Sequence, residues 1–281
     1  DRLRDLFYSN SSHYLPRGWL GAIFGSGSRA LRYISLYDIN SDETCHLLQL
    51  LENNTTIECI YIGWNGEDLS EATVFQLRRT LQVNCTMKKL ILRFHPRALP
   101  VLVEMVESNN GPLEFIQLNG IGVAQTGYGD ADITSLLQAL HNNTTLRGLE
   151  LQYVDRQSFL SPCTWKLLLE AIRYNSHLNE LDLSFPDPDD NAPVNVDDLA
   201  GALTHNFNLT SIKIRHNGRT QPQLDFVCRL FSRRNRIKQR IQQNELPNAL
   251  WPMVLESSSP SPSASFLSVR YALSVAHTGG R

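Results

Sequence analysis

The twelve residues Asp187-Pro188-Asp189-Asp190-Asn191-Ala192-Pro193-Val194-Asn195-Val196-Asp197-Asp198 carry oxygen side chains at positions 1, 3, 5, 9 and 12, the spacing with which a calcium loop surrounds its cation. Position 6, where the turn needs glycine, is Ala192, position 12 is an aspartate, and a strand-like run precedes the segment. A structural loop is expected, with Asp197 or Asp198 set against the positive N-terminus of the next helix. Arg229, Arg233, Arg234, Arg236, Lys238 and Arg240 place six positive charges in twelve residues. Such a run suits RNA or an anionic membrane, but no aromatic platform is interleaved, and a solvated helix face or an intramolecular partner for acidic loops explains it as well. Gly25-Ser26-Gly27-Ser28 matches a phosphate loop in composition alone and lacks the following Lys-Ser/Thr. It reads as a hinge.

No Ser-His-Asp grouping or paired carboxylates can be recognised, and the eight histidines hold no pair at metal-ligand spacing. Cys45, Cys59, Cys85, Cys163 and Cys228 are odd in number, widely spread and without a C-x-x-C, which argues against both a disulfide framework and a zinc site. No enzyme activity, catalytic residue, metal, cofactor or small-molecule substrate is expected. The formal charge of −2 over 281 residues excludes a chain that binds nucleic acid through its overall charge. No apolar run approaches the roughly 18–20 residues that cross a bilayer, and no signal-peptide pattern opens the chain. A soluble intracellular location, cytoplasm or organelle interior, is expected over secretion. Because the chain opens on Asp1 rather than Met, an upstream segment is expected to have been removed, processed or left out, and such a segment could have carried an address.

The elements around these residues follow from a repeat. Leu-x-x-Leu-x-Leu recurs seven times, at Leu31/Ile34/Leu36, Ile57/Ile60/Ile62, Met87/Leu90/Leu92, Leu113/Ile116/Leu118, Leu146/Leu149/Leu151, Leu178/Leu181/Leu183 and Leu209/Ile212/Ile214. The starts lie 26, 30, 26, 33, 32 and 31 residues apart, a period at which each unit buries its apolar face only against its neighbours. Each run ends in the alternation of a strand with one buried face. Helical stretches follow at His46–Glu52, Val74–Val83, Leu99–Glu107, Ile133–His141, Trp165–Tyr174, Val196–His205 and Leu224–Arg233, with buried stripes such as Leu77/Leu81 and Leu168/Ile172. Gly111-Pro112 shifts the third stripe to Leu102/Val106.

Asparagine stands three residues before the strand motif at Asn54, Asn84, Asn110, Asn143, Asn175 and Asn206, where it can end a helix and pair with free backbone groups. Asn54, Asn84 and Asn143 also fall in Asn-x-Ser/Thr sequons, as do Asn10, Asn53, Asn142 and Asn208. The turn role accounts for the repeat asparagines without glycosylation.

The Asn-x-x-Leu-x-x-Leu-x-Leu turn, the 26–33-residue units and the full helix after each strand resemble the ribonuclease-inhibitor type of leucine-rich repeat from about Ser28 to Arg233. The resemblance implies an α/β solenoid: a horseshoe or arc with seven parallel strands on its concave face, helices on its convex face, and use as a grip on other proteins. The later run Leu246-Pro247-Asn248-Ala249-Leu250-Trp251-Pro252-Met253-Val254-Leu255-Glu256, after a basic stretch, looks like the closing segment of uncharacterised leucine-rich repeat proteins of diatoms and related algae. That likeness implies a capping element and no activity. The expected organisation is an N-terminal cap over 1–27, the solenoid over 28–235, a C-terminal cap over 236–256, a Ser/Pro linker over 257–265, and a helix with tail over 266–281.

Residues between the strand leucines project from the face opposite the helices. The candidate protein-binding set there is Tyr33, Tyr37, Tyr61, Lys89, Ile91, Arg93, Phe115 and Gln117, then acidic Glu150, Glu180 and Asp182, then basic Lys213 and Arg215. Aromatic residues with arginine are what protein interfaces favour. One or more proteins are the expected partners, with the chain a scaffold or peripheral subunit of a larger assembly. The alternatives are a regulator of one enzyme, of GTPase-activator or nuclease-inhibitor type, and an RNA or membrane adaptor acting through the basic helix.

Overall fold

Each apolar triplet forms the buried side of a strand, and the chain returns through a helix so that the next strand lies parallel to the last. The computed structural model describes residues 5–9, 18, 20–21, 24, 31–64, 69–93, 95–121, 130–153, 161–185, 195–216 and 222–243. Eight strands form one open parallel sheet in chain order. They are β1 (Asp5–Ser9), β2 (Tyr33–Ile39), β3 (Cys59–Trp64), β4 (Lys89–Arg93), β5 (Phe115–Ile121), β6 (Gly148–Tyr153), β7 (Glu180–Phe185) and β8 (Ser211–His216). Seven helices follow β2 to β8 in turn: α1 (Ser41–Glu52), α2 (Glu71–Val83), α3 (Leu99–Ser108), α4 (Asp130–His141), α5 (Pro162–Tyr174), α6 (Val196–His205) and α7 (Pro222–Gln242). The architecture is an open parallel α/β sheet consistent with a leucine-rich-repeat-like solenoid.

Two expectations are corrected here. The sheet has an eighth strand, β1, inside the segment read as cap; Asp5-Leu6-Phe7-Tyr8-Ser9 lacks the leucine triplet yet pairs in register with Tyr33-Ile34-Ser35-Leu36-Tyr37. A parallel ladder needs backbone donors and acceptors, not leucines, so an edge strand escapes a leucine-based reading. Three helices, α1, α2 and α5, also begin three to five residues before their apolar stripes, because the first turn is held by polar caps, whereas α3 and α6 begin at Leu99 and Val196 as the stripes predict. In α1, Asn40 Oδ1 accepts from the Glu43 amide at 2.8 Å and Glu43 returns a bond to the Asn40 amide. Ser70, Ser161 and Asn195 cap α2, α5 and α6. α7 runs unbroken to Gln242, so the boundary expected at 235/236 falls within one helix.

The turn asparagines tie one repeat to the next. Asn175 Nδ2 donates to Leu140 O at 2.6 Å and Asn143 O at 3.0 Å, while its Oδ1 accepts from the His177 and Leu178 amides. Asn206 repeats the pattern onto Ile172 O and Asn175 O, and Asn84 onto Leu51 O and Asn54 O. Asn143 donates to Val106 O. These four side chains are buried and donate their amide nitrogens, so the sequons at Asn84 and Asn143 cannot carry a glycan in the folded chain.

Asn110 is the exception, and it lies exposed. Elsewhere the asparagine oxygen accepts from the amides two and three residues on, but two residues after Asn110 stands Pro112, which has no N–H. Its neighbour Asn109, in a left-handed conformation with φ 52°, bonds forward to the following repeat instead, accepting from the Thr144 amide at 2.7 Å and donating to Asn142 O. Replacing Asn175 by Ala strands two buried carbonyls and the buried Leu178 amide and should cost about 2–4 kcal/mol in chemical denaturation. Asn110→Ala should stay within about 0.5 kcal/mol of the parent.

Candidate protein-binding face

The sheet face away from the helices carries three side-chain rows fixed by strand register. The first runs Asp5, Tyr33, Cys59, Lys89, Phe115, Gly148, Glu180, Ser211. The middle row runs Phe7, Ser35, Tyr61, Ile91, Gln117, Glu150, Asp182, Lys213. The third brings Tyr37 beside Gly63, and Arg93, Asn119, Gln152, Ser184 and Arg215 onto successive strands. At about 4.8 Å per strand the face is roughly 34 Å across, and Tyr61 stands roughly 14 Å from Glu150.

Its N-terminal third is aromatic. Phe7, 68% exposed, meets Tyr33 with ring centroids 5.2 Å apart, and Tyr37 meets Tyr61 at 4.4 Å. Burial pushes the Tyr33 and Tyr61 phenols up, so both stay neutral hydrogen-bonding groups. Two glycines let rings lie flat on the sheet. A Cβ on Gly63 would sit 3.0 Å from the Tyr61 ring, and one on Gly148 would sit 2.1 Å from Phe115. Lys89 Nζ rests 4.0 Å from the centroid of the Phe115 ring, a cation–π contact. Arg93, exposed at the far end of β4, donates to Trp64 O at 3.2 Å.

Alternation predicts Ile91 and Ser35 to be exposed, and the structure buries both, Ile91 to 8% exposure and Ser35 completely. Their middle-row neighbours are ring-bearing or long side chains that cover a small one. Phe7 enters the face unforeseen, on an edge strand that has no leucine motif, whereas Gly63, Asn119 and Gly148 take the positions that strand alternation predicts. Burial also lifts the Cys59 thiol, in the first row, to about 11, leaving it protonated and unreactive at neutral pH.

Towards the C-terminus the face becomes charged. Asp182 Oδ2 pairs with Arg215 at 2.5 Å and Lys213 at 3.8 Å, and this pairing raises the Arg215 pKa. Glu150 is beside Asp182 in register and takes part in no ion pair among the described residues. Burial, then the Asp182 charge, raises its pKa. Glu180 is exposed on the first row.

The basic run divides. Arg229, Arg233, Arg236 and Arg240 are exposed on α7, whereas Arg234 is 2% exposed. Its Nη2 donates to Leu203 O at 2.8 Å and to Asn206 O, the carbonyls that another turn asparagine would serve, and its guanidinium packs on Phe207 and Phe231. Desolvation lowers its pKa to about 10, still charged at neutral pH. Lys238 packs on Phe207. Arg234 therefore serves the turn ladder and leaves the surface patch.

Residues 186–194 of the acidic loop, Gly25–Ser28 and everything after 243 lie outside the described residues. Among the described residues, no three His, Cys, Asp or Glu side chains converge as metal ligands, and no helix is long and apolar enough to cross a membrane.

No family model matches the chain, and no curated protein matches it. Among solved structures, one titled leiomodin-1 actin-binding site 2 is similar, with 11% identity, 83% of this chain and 96% of that chain covered, and a TM-score of 0.34.

Glu150 provides a pH test. Its folded pKa lies above its unfolded value of about 4.3, so protonation favours the fold and that contribution is lost as pH rises through the folded pKa. Glu150→Gln should raise Tm at pH 7, and the gain should vanish below about pH 4 in a pH series of thermal melts.

Proposed function

We propose that the chain is a non-enzymatic protein–protein interaction module of the ribonuclease-inhibitor type, an arc whose concave sheet face grips a partner, and that it serves as a scaffold or peripheral subunit of a larger assembly. The observation that carries this reading is the sheet face itself. It is a continuous strip with an aromatic cluster at Phe7, Tyr33, Tyr37 and Tyr61, cations at Lys89 and Arg93 beside it, and the charged group Glu150, Asp182, Lys213 and Arg215 beyond. Aromatic side chains prearranged by mutual packing lose little rotamer entropy on docking, and the charges beyond them orient the partner more than they tighten it.

Lysine cross-linking of the native extract after size fractionation tests this, because the five lysines are spread over distinct surfaces. Cross-links from Lys88 or Lys89 to a co-migrating protein in a large fraction are expected. Tyr37→Ala with Arg93→Glu should weaken that association at least about tenfold, equivalent to roughly 1.4 kcal/mol, while leaving Tm within a few degrees. Migration as a monomer with internal cross-links alone would overturn the scaffold reading.

A further inference from the structure

α7 is longer than the other helices, and its outward face is not random in composition. Phe226, Arg229, Arg233, Arg236 and Arg240 are all exposed, at spacings of 3, 4, 3 and 4 residues. Leu224, Cys228, Phe231, Arg234, Asn235 and Ile241 occupy the opposite, buried side. A 3-4-3-4 row lies along one face of a helix, and this one extends about 21 Å. The geometry points to α7 as the docking surface for an acidic α-helix of another protein, one whose seam carries an apolar residue followed by carboxylates at the same spacing.

Charge complementarity and pitch select that occupant. Four of the five seam positions are guanidinium groups, which bind carboxylates through two parallel bonds. The acid within reach on α7 is Asp225, an i,i+4 partner of Arg229, and Arg229 is still 78% exposed. Arg233 and Arg236 belong to none of the ion pairs among the described residues. The residues after α7 contain only Glu245 and Glu256 as acids, so they hold no row of carboxylates to match. A helix repeats its side chains at the same 1.5 Å rise and therefore stays in register along the seam. Single-stranded RNA would call for rings interleaved with the arginines, and a bilayer for more apolar surface than Phe226 offers. This surface is separate from the sheet face, and either can fail without the other.

The test uses the full chain and a fluorescein-labelled 21-residue peptide in an Ala/Gln background, carrying Leu and then four Glu at 3-4-3-4 spacing. A control peptide of equal composition has Glu at every fifth residue, which spreads the charge around the helix. Fluorescence anisotropy should show the in-register peptide binding at least tenfold more tightly. Arg233→Glu with Arg236→Glu should remove that difference, and Arg93→Glu on the sheet face should leave it intact. The peptide comparison on the parent chain needs no variant to fold. Equal binding of the two peptides overturns the inference. So does tighter binding of oligouridylate or of vesicles of phosphatidylserine in phosphatidylcholine, or sedimentation of the chain alone as a dimer that the double substitution dissociates.

Discussion

The turn asparagine is the interaction on which the rest of this architecture depends. Where a helix gives way to the next strand, its last carbonyls lose their intrahelical donors, and stacked repeats bury them away from water. One amide side chain resolves this for two repeats at once. Its nitrogen serves carbonyls of the preceding repeat, and its oxygen orders the turn of its own, as Asn84, Asn175 and Asn206 show. The bonds run between repeats, so they set the stacking distance as well as the turn. At the last described turn, Arg234 and Asn235 supply the same donors from within a helix.

The sheet face acquires its character from what the ladder makes regular. With strands held in register, side chains of neighbouring repeats fall into rows, and large rings compete for the space above small residues. Gly63 and Gly148 settle that competition by leaving room for the Tyr61 and Phe115 rings to lie down on the backbone. The outcome is a face partly covered by its own side chains, with Ile91 and Ser35 beneath the surface and the ring edges presented outward. Glu150 is held in the same surroundings at a desolvation cost that raises its pKa. A cationic group brought beside it would lower that cost.

α7 shows the same basic residues put to two uses. Arg234 and Lys238 are drawn inward, where aromatic faces and carbonyl oxygens replace the water they lose. The exposed arginines form a row of unbroken helical period on the outward face. Burial against β8 and α6 decides which residues go inward.

Much of the fold can be read directly from the amino-acid order. The leucine triplets place β2 to β8, and the asparagines mark the turns, because both periodicities reflect local backbone geometry repeated at each unit. Polar caps shift helix starts by about a turn, since Asn40 and Ser70 act through hydrogen bonds that apolar counting does not register. Other features were settled by the tertiary structure alone. β1 has no leucine motif and is recruited by the open edge of β2. Asn110 has the right type and spacing but loses its place to Pro112, whose missing N–H matters only once the turn is formed. Arg234 is indistinguishable from its neighbours as a letter, and only the packing of α7 on the last turn makes it part of the core. The sequence by itself determined the repeat, the register and the residue types on the open face; the tertiary structure decided which of those side chains remain accessible, because exposure depends on what neighbouring strands place alongside.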